Sequence, residues 1–521
     1  MVLRRERWMV VATLALLQIF VVVAGVYGYL VIHDGTRTPA PIASPEPAPT
    51  PIITAGPVLA AVGDGVLPVK GTLTSRLRDA MGATGLGKNV AGVVLDATTG
   101  ESLFDGGSAR PVTPASTTKV VTAVAVLASV GPDARFATRV VRGKSGNSIV
   151  LVGGGDPTLA GPKSAGKGGG YPRPASLAQL AARTAKALKA AGITRVNLSY
   201  DSSLFGGPRS APGWKPNYIP EGSVAPVTAL TMDEGRKAGG GRLTDPQRET
   251  AAAFAALLRR AGIAVGGGIR PGVAPGPEGQ NARDLTAQDG TAQNGRAQDG
   301  TTQADPAQGG TAQGGTAQDG TAQNGRAQDA AARYAAGEEL ARVESPPVYA
   351  LVERMLTLSD NDLAEALARQ VAVKEGLPHT FRGATDAVHR VLAGLHLDQG
   401  IEVHDGSGLS TRNRITPAAL GRLLAAASSP AHPALNSLIS GLPVAGFTGT
   451  LHDRYGKSES ASGAGLVRAK TGTLNGVNTL AGISYTAGGR LVTFAFMADE
   501  VTDPDRAIAA LDKMATIVSQ S

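Results

Sequence analysis

The chain has 521 residues, of which 42% are hydrophobic, and a formal net charge of +8. This length is too great for one simple core and predicts two or more domains. Aromatic residues make up only 4% of the chain and the basic residues are scattered, which argues against nucleic acid as a partner. The chain has no cysteine, so disulfides and thiol chemistry are excluded.

Residues 1–33 predict a basic cytoplasmic tip followed by a single-pass transmembrane signal anchor. Arginines within residues 4–7 precede an uncharged run over residues 8–32, which is long enough to cross a bilayer. Basic residues before such a run favour a cytoplasmic N-terminus and an extracytoplasmic remainder. The alternative is secretion after signal cleavage, since Val22 and Ala24 fit a loose cleavage pattern. The apolar run continues past Ala24, which favours the anchor at the cell membrane.

Residues 34–58 are rich in proline and predict an extended linker between the membrane and the folded part of the chain. The folded part begins at residue 59. A helix is predicted around residues 74–81, and a hairpin is predicted from strands over 90–95 and 102–104.

The next predicted helix carries the first candidate catalytic motif. Ser116 and Lys119 form an S-x-x-K string that leads into an apolar run over residues 120–127, which indicates a buried helix. Ser116 alone is explained as well by helix capping, because serine favours that position. A second S-x-x-K string at residues 164–167 lies in a Gly- and Lys-rich run that cannot hold a helix.

Residues 136–275 predict one or two inserted accessory domains, because strands and helices alternate along them. The predicted strands cover 137–141, 148–152 and 194–200, and the predicted helices cover 176–191 and 246–261. The following segment, residues 276–335, contains a five-residue unit of the type Thr-Ala-Gln-Asp-Gly that recurs between residues 286 and 330. It lacks the apolar residues that would offset the entropy of ordering, so it predicts a disordered loop.

The remainder of the chain, residues 336–521, predicts the second half of a catalytic domain whose first half is residues 59–135. Helices are predicted over 330–343, 348–358, 361–373, 384–395 and 417–426. Strands are predicted over 465–474, 480–485 and 490–497, before a C-terminal helix over 503–519. The ends of the chain therefore form one domain, and the middle interrupts it.

Two more short strings follow the first motif in order. Residues 359–361 are Ser-Asp-Asn, and residues 470–473 are Lys-Thr-Gly-Thr. Each has an ordinary structural explanation, as a helix N-cap or as an edge strand with an exposed lysine. All three in this order form the motif set of penicillin-binding proteins and serine β-lactamases. No G-x-S-x-G or H-E-x-x-H string occurs, which disfavours an α/β-hydrolase and a metalloprotease.

Several longer strings add to this set. They are residues 151–159 (LVGGGDPTL), 211–214 (APGW), 404–410 (HDGSGLS) and 449–451 (GTL). With the three motifs, they resemble the D-alanyl-D-alanine carboxypeptidase/endopeptidase family, the class C low-molecular-mass penicillin-binding proteins (peptidase family S13). The resemblance covers about residues 60–270 and 340–521. It implies an α/β, multi-domain fold in which a β-lactamase/transpeptidase-like catalytic domain is interrupted by smaller inserted domains.

The resemblance also implies a function. A serine-type D-Ala-D-Ala carboxypeptidase, with DD-endopeptidase as a second activity, would act on peptidoglycan stem peptides and bind β-lactams covalently. The chain departs from some relatives after the Gly-Trp string, where Asn217 and Tyr218 replace an acidic residue that helps read diaminopimelate.

The motif residues receive roles on this hypothesis. Ser116 is the nucleophile, and Lys119 is its base, since it lies one helical turn away on the same face. Ser359 relays a proton to the leaving amine. The predicted substrate-binding residues are Asn361, Lys470, Thr471, Gly472 and Thr473. Backbone N–H groups of Ser116 and Thr473 form the oxyanion hole, and the mechanism requires no metal or cofactor.

Three alternatives remain open from the sequence. A serine β-lactamase uses the same acylation residues but needs fast deacylation, and no convincing glutamate for that step lies between the second and third motifs. An esterase of the same fold would hydrolyse simple esters. A non-catalytic cell-wall-binding protein would make no covalent intermediate, although the intact serine and both lysines argue against it.

Overall fold

The computed structural model describes residues 65–164, 171–237, 239–276, 336–456 and 459–521, and also Gln18, Val22 and Val23, which are helical. The chain divides into two units, residues 1–60 and 61–521, and the helices and strands named below lie in the second. Apart from those three helical positions, the predicted anchor and linker lie outside the described residues, as does most of the predicted loop 276–335. Across the described part of the chain, no helix combines the length and apolarity needed to span a bilayer.

Helices and strands are mixed throughout, which confirms the predicted α/β, multi-domain class. The helices of the described residues are α1 Lys70–Met81, α2 Thr118–Ser129, α3 Leu177–Ala190, α4 Pro246–Arg260, α5 Val348–Leu358, α6 Asn361–Lys374, α7 Phe381–Gly394, α8 Pro417–Ser428, α9 Asn436–Gly441 and α10 Pro504–Ser519. The strands are β1 Asn89–Asp96, β2 Ser102–Gly106, β3 Ala137–Arg142, β4 Ser148–Val152, β5 Arg195–Asp201, β6 Ala264–Pro271, β7 Glu339–Glu344, β8 Ile401–Glu402, β9 Arg414–Ile415, β10 Val467–Leu474, β11 Val477–Tyr485 and β12 Leu491–Asp499.

The first of two five-stranded sheets joins the two ends of the folded chain. Its order is β10-β11-β12-β1-β2, and every neighbouring pair is antiparallel. Strand β1 pairs with β12 over its whole length, from Asn89 opposite Asp499 to Asp96 opposite Val492. Residues before the insertion and residues after it therefore form one sheet, with β10 at its edge.

Each face of this sheet has its own hydrophobic core. In β12, Ala495 and Met497 pack into the core that contains α2, α5, α6, α7 and α8. Phe494 and Phe496 alternate with them and pack on the opposite face against α1 and α10. This alternation is the two-residue period of a strand buried on both faces. Side chains of α2 from Thr118 to Leu127 are all buried, as the apolar run predicts.

The segment between the first and second motifs forms a second sheet, of order β6-β5-β4-β3-β7. Strands β4, β5 and β6 are parallel and are connected through α3 and α4, because parallel neighbours need a crossover connection. Its core includes Leu151, Leu188, Val196 and Phe254.

Strand β7 corrects one prediction. The sequence pattern predicts a helix over residues 330–343 and a second half of the catalytic domain that begins at residue 336. Glu339–Glu344 is instead a strand that pairs antiparallel with β3. Its side chains are alternately exposed and buried, and Ala341 and Val343 face the core of this second sheet. The inserted sheet therefore extends to residue 344, because a chain that leaves from β6 returns through this strand.

Candidate active site

Ser116 lies where a short 3₁₀ turn, Ala115–Thr117, runs into α2. The preceding residue, Ala115, has a positive φ of 48°, a conformation that costs energy for a residue with a Cβ. The backbone of Gly408 packs closely against this turn. Only glycine fits there, since a Cβ on residue 408 would lie 1.9 Å from the Ala115 carbonyl oxygen. Ser116 itself is half-buried and opens toward the edge strand β10.

Lys119 follows one turn later and is fully buried. Its Nζ lies 3.1 Å from Ser116 Oγ, 2.7 Å from Asn361 Oδ1 and 2.7 Å from the carbonyl oxygen of Ser407. A neutral amine has two N–H donors and one lone pair. The two short contacts use the two donors, which leaves the lone pair for the Ser116 hydroxyl proton. The geometry therefore suits a lysine that acts as a base toward Ser116.

Burial supplies the electrostatic condition for that role. Desolvation lowers the pKa of Lys119 to about 8, although the carboxylates of Asp405 and Glu365 favour its charged form. The lysine is thus close to its titration point near neutral pH, which is where a general base is most effective.

Asn361 begins α6 and connects the second motif to the first. Its Oδ1 accepts from Lys119 Nζ, and its Nδ2 donates to the carbonyl oxygen of Ser223 at 2.9 Å. These two bonds fix the orientation of the amide, since exchanging its oxygen and nitrogen would break both. The second Nδ2 hydrogen remains for a ligand.

Ser359 lies at the C-terminal end of α5 with φ 56° and ψ 40°, in the left-handed region. It is half-buried and lines a cavity of about 380 Å³ together with Ser223 and Asn361. In the part of the chain that the structure describes, its hydroxyl forms no hydrogen bond to Ser116 or Lys119. The structure therefore brings Ser359 to the rim of the site but not into direct contact with the nucleophile.

Strand β10 carries the third motif past Ser116. Lys470 is fully buried, and its Nζ donates to the Thr471 carbonyl oxygen at 2.8 Å. Burial, and then the nearby charge of Lys119, lowers its pKa well below the usual lysine value. A Cβ on Gly472 would lie 2.7 Å from the Pro114 carbonyl oxygen and 3.1 Å from the Ser116 nitrogen. Glycine thus permits the close approach of β10 to the nucleophile.

The two threonines of this motif face the open side. Thr471 Oγ1 donates to Thr450 Oγ1 at 2.8 Å, and Thr450 belongs to the Gly-Thr-Leu string. Thr473 is exposed and accepts a long hydrogen bond of 3.4 Å from Asn478. Hydroxyl groups are therefore available along the strand edge for a carboxylate.

Sequence reasoning assigned no role to the residues that support the Ser407 carbonyl. Glu365 lies one turn after Asn361 on α6, and its carboxylate accepts from the backbone N–H groups of Ser407 at 2.8 Å and Gly406 at 3.0 Å. Burial, and then the charge of Asp405, raises the pKa of Glu365 to about 8. The i, i+4 spacing of Asn361 and Glu365 was the one signal in the sequence that they share a helix face.

Asp405 organises the same loop from the other side. Its carboxylate accepts from the backbone N–H groups of Gly408 and Ser410, from Asn413 Nδ2 and from Trp214 Nε1, at 2.7 to 3.0 Å. Two of the longer strings, residues 211–214 and 404–410, thus meet in the structure. Their shared effect is to fix the Ser407 carbonyl on Lys119.

Among the described residues, no group of three or more His, Asp and Glu side chains is placed to hold a metal ion. The polar groups that converge on Ser116 are amines, amides, hydroxyls and backbone groups. This set matches acyl transfer through a serine.

Comparison with known proteins identifies the family. A sequence model of the D-Ala-D-Ala carboxypeptidase 3 (S13) family matches residues 73–240 and 302–520. The chain belongs to this family. The predicted family is therefore confirmed, and the chain is a serine-type D-Ala-D-Ala carboxypeptidase of peptidase family S13.

Relatives cover almost the whole S13 peptidase. It is 32% identical to the carboxypeptidase Rv3627c of Mycobacterium tuberculosis over 493 residues, or 92% of this chain and 90% of the relative. It is 31% identical to the carboxypeptidase DacB of Mycolicibacterium smegmatis over 510 residues, or 96% of this chain and 95% of the relative.

The fold is shared with a solved structure. The crystal structure of penicillin-binding protein 4 from Haemophilus influenzae superposes with a TM-score of 0.63 at 19% identity, and the match covers 87% of the S13 peptidase and all of that chain. This likeness shows that the chain shares the fold of that penicillin-binding protein.

Proposed function

We propose that this S13 peptidase removes the terminal D-alanine from peptidoglycan stem peptides through an acyl-enzyme on Ser116. The observation that carries the proposal is the buried Lys119 amine, 3.1 Å from Ser116 Oγ and bound by two fixed oxygen acceptors. A serine needs such a partner at neutral pH, because its own hydroxyl is a weak nucleophile.

In acylation, Lys119 takes the Ser116 proton as Oγ bonds to the carbonyl carbon between the two D-alanines. The negative charge that develops on the carbonyl oxygen is bound by the backbone N–H groups of Ser116 and Thr473. The C–N bond then breaks, and the proton that Lys119 took from Ser116 passes through Ser359 to the leaving amine. In the second half of the cycle, water gives one proton to neutral Lys119 and attacks the ester carbon, and this proton returns to Ser116 Oγ as the acid product leaves.

The Lys-Thr-Gly-Thr strand supplies the site for the substrate's terminal carboxylate. Thr471 and Thr473 would donate hydroxyl hydrogen bonds, and the buried Lys470 precedes them on the same strand. A carboxylate beside a buried lysine favours the charged form of that lysine. Substrate binding would therefore raise the pKa of Lys470 and strengthen the attraction.

A fluorescent penicillin tests this function, with Ser116→Ala as the control. We expect a label on the wild-type protein that persists for many minutes, together with D-alanine release from a pentapeptide muropeptide. Rapid loss of the label would indicate a β-lactamase, and hydrolysis of simple esters without D-alanine release would indicate an esterase. The absence of any label on Ser116 would indicate a non-catalytic wall-binding protein.

DD-endopeptidase activity is the second proposed activity of the same site. It differs in the leaving amine, which belongs to a cross-linked stem rather than to D-alanine. The same Ser116 and Lys119 geometry supports it, because both activities proceed through the same acyl-enzyme. Incubation with a cross-linked muropeptide dimer should give monomers with the wild-type protein and none with Ser116→Ala.

We also propose that residues 1–33 anchor the enzyme in the cell membrane, with the catalytic part outside the cytoplasm. The basic start and the long uncharged run support this topology. Protease treatment of intact cells should digest the catalytic part, and N-terminal sequencing should find residue 1 or 2. A mature N-terminus near residue 25 in a secreted form would contradict the anchor.

A further inference from the structure

The second motif contacts the inserted segment as well as the catalytic core. Asn361 Nδ2 donates to the carbonyl oxygen of Ser223, and the backbone N–H of Ala225 donates to Asp362 Oδ1 at 2.7 Å. Ser223 and Ala225 belong to the segment that separates the first and second motifs. Part of the inserted segment therefore borders the catalytic asparagine directly.

Arg242 ties these contacts together. Its Nη2 lies 2.7 Å from Asp362 Oδ2, and both side chains are almost fully buried, 3% and 6% exposed. The same guanidinium donates to the carbonyl oxygens of Glu234 at 2.8 Å and Gly222 at 3.0 Å. One planar guanidinium thus contacts Asp362, the residue after Asn361, and both ends of the loop over residues 222–234 that carries Ser223.

A continuous set of contacts leads from this arginine to the nucleophile. Arg242 pairs with Asp362, the neighbour of Asn361, and Asn361 Oδ1 accepts from Lys119 Nζ. Lys119 in turn contacts Ser116. Four carboxylates favour the charged form of Lys119, namely those of Asp405, Glu365, Asp360 and Asp362, and the neighbouring amine of Lys470 opposes it. Arg242 pairs with one of these carboxylates.

Stability alone does not explain a pair of this kind. Replacing a buried ion pair by uncharged residues of similar size is often neutral for stability, whereas removing one partner leaves an uncompensated buried charge. The pair does specify geometry, because the guanidinium donates to two backbone carbonyl oxygens of the loop while it lies beside the Asp362 carboxylate.

We propose that Arg242 is a positioning residue for acylation, which keeps the Asn361 amide oriented so that its oxygen binds Lys119 and its nitrogen faces Ser223. The inserted segment is then part of the catalytic machinery. This inference rests on the proposed Ser116 and Lys119 chemistry. Without Arg242, the Ser223 loop and Asn361 separate, and water reaches Lys119.

The test measures the second-order rate of labelling by a fluorescent penicillin, from pH 6 to pH 10, on the full chain. Arg242→Met should slow labelling at pH 7 by about 10- to 100-fold, the loss expected when a reacting group is misplaced by about 1 Å. The apparent pKa of the profile should move above 8, since water around Lys119 reduces the desolvation that lowers it. Arg209→Met is the matched control, because Arg209 pairs with Asp245 at 3.9 Å in the same segment with half-exposed side chains; its labelling should be unchanged.

The double variant Arg242→Met/Asp362→Asn separates positioning from folding. It has no unpaired buried charge, and the amide oxygen that it places at position 362 can still accept from the backbone N–H of Ala225. We expect a thermal midpoint near that of the wild type but slow labelling and the shifted pH profile. Wild-type rate and profile in the double variant would overturn the proposal, and so would loss of folding in both variants, which would assign Arg242 a structural role. Failure of the wild-type protein to label at all would instead refute the proposed function.

Discussion

Three oxygens around one amine define the chemistry at the residue scale. Ser116, Asn361 and Ser407 contribute a hydroxyl, an amide oxygen and a backbone carbonyl to Lys119. The last two are 242 and 288 residues away along the chain. Burial then lowers the lysine pKa enough for the neutral form to be reached near physiological pH.

The rate of acylation should therefore depend on pH. Its pH profile should rise through about 8, because only neutral Lys119 can accept the Ser116 proton. Below that pKa the rate should fall roughly tenfold per pH unit. Labelling by a fluorescent penicillin across pH 6 to 10 measures this.

The control for that profile is Lys119→Arg, which keeps a positive charge but cannot give up its proton. It should label at a small fraction of the wild-type rate at every pH. A wild-type rate that is flat between pH 6 and 9 would exclude Lys119 as the base.

Gly472 provides a steric prediction at the same scale. Gly472→Ala should abolish acylation, since its Cβ would lie 2.1 Å from Thr479 Oγ1 and 2.7 Å from the Pro114 carbonyl oxygen. The strand would have to move away from Ser116. Gly71→Ala is the control, because a Cβ there meets nothing within 4 Å. Penicillin labelling of both variants, with thermal unfolding, distinguishes a local displacement from global loss of fold.

At the scale of elements, helix α6 organises the site through its register. Asn361, Glu365 and Arg369 follow at intervals of four and lie along one face. Asn361 contacts Lys119, and Glu365 binds the loop that presents the Ser407 carbonyl. Arg369 donates to the Gly206 carbonyl oxygen at 2.8 Å and stacks over the Phe381 ring at 4.2 Å. One helix thus joins the first motif, the 404–410 loop and the inserted segment.

Glu365→Gln tests this arrangement. The amide keeps the size of the side chain but presents an N–H₂ group to one of the two backbone donors, which leaves a buried N–H unsatisfied at a cost of about 1–3 kcal/mol. We expect a lower thermal midpoint and slower penicillin labelling, as the Ser407 carbonyl loses its fixed position. Glu402→Gln, at an exposed position in the same region, should change neither quantity. Equal behaviour of the two variants would remove Glu365 from the support of the site.

The split of the catalytic domain is the main feature at the scale of the whole molecule. Strands from both ends of the folded chain share one sheet. In the inserted sheet, β7 is an edge strand that pairs with β3. The ends of the segment outside the described residues lie close together, because a Cβ on Gly337 would lie 2.7 Å from the Pro275 carbonyl oxygen. A short connection can therefore replace that segment.

We accordingly expect that replacing residues 278–334 by a Gly-Ser linker of about four residues leaves folding and acylation intact, since loop closure depends only weakly on loop length. Thermal unfolding and the rate of penicillin labelling are the measurements. A loss of labelling at unchanged stability would give the five-residue repeats between residues 286 and 330 a role in catalysis.

Much of this architecture follows from the sequence, but not all of it. The helices of the catalytic domain and the order of its C-terminal strands agree with the periodicity of the apolar residues. The helix predicted over residues 330–343 was wrong. The alanine-rich sequence before residue 337 favours a helix, and this signal outweighed the short alternation of the buried residues Ala341 and Val343. That alternation has meaning only beside β3, to which the segment pairs.

The sequence by itself determined the family and the candidate nucleophile, base and carboxylate site, because each is encoded in a short contiguous string whose spacing fixes local geometry. Tertiary structure alone decided which groups surround those strings. Ser223 and Arg242 carry no local signature, and they reach the site because packing of the inserted segment against α6 brings distant parts of the chain together. The same burial lowers the pKa of Lys119, a property that no string of four residues contains.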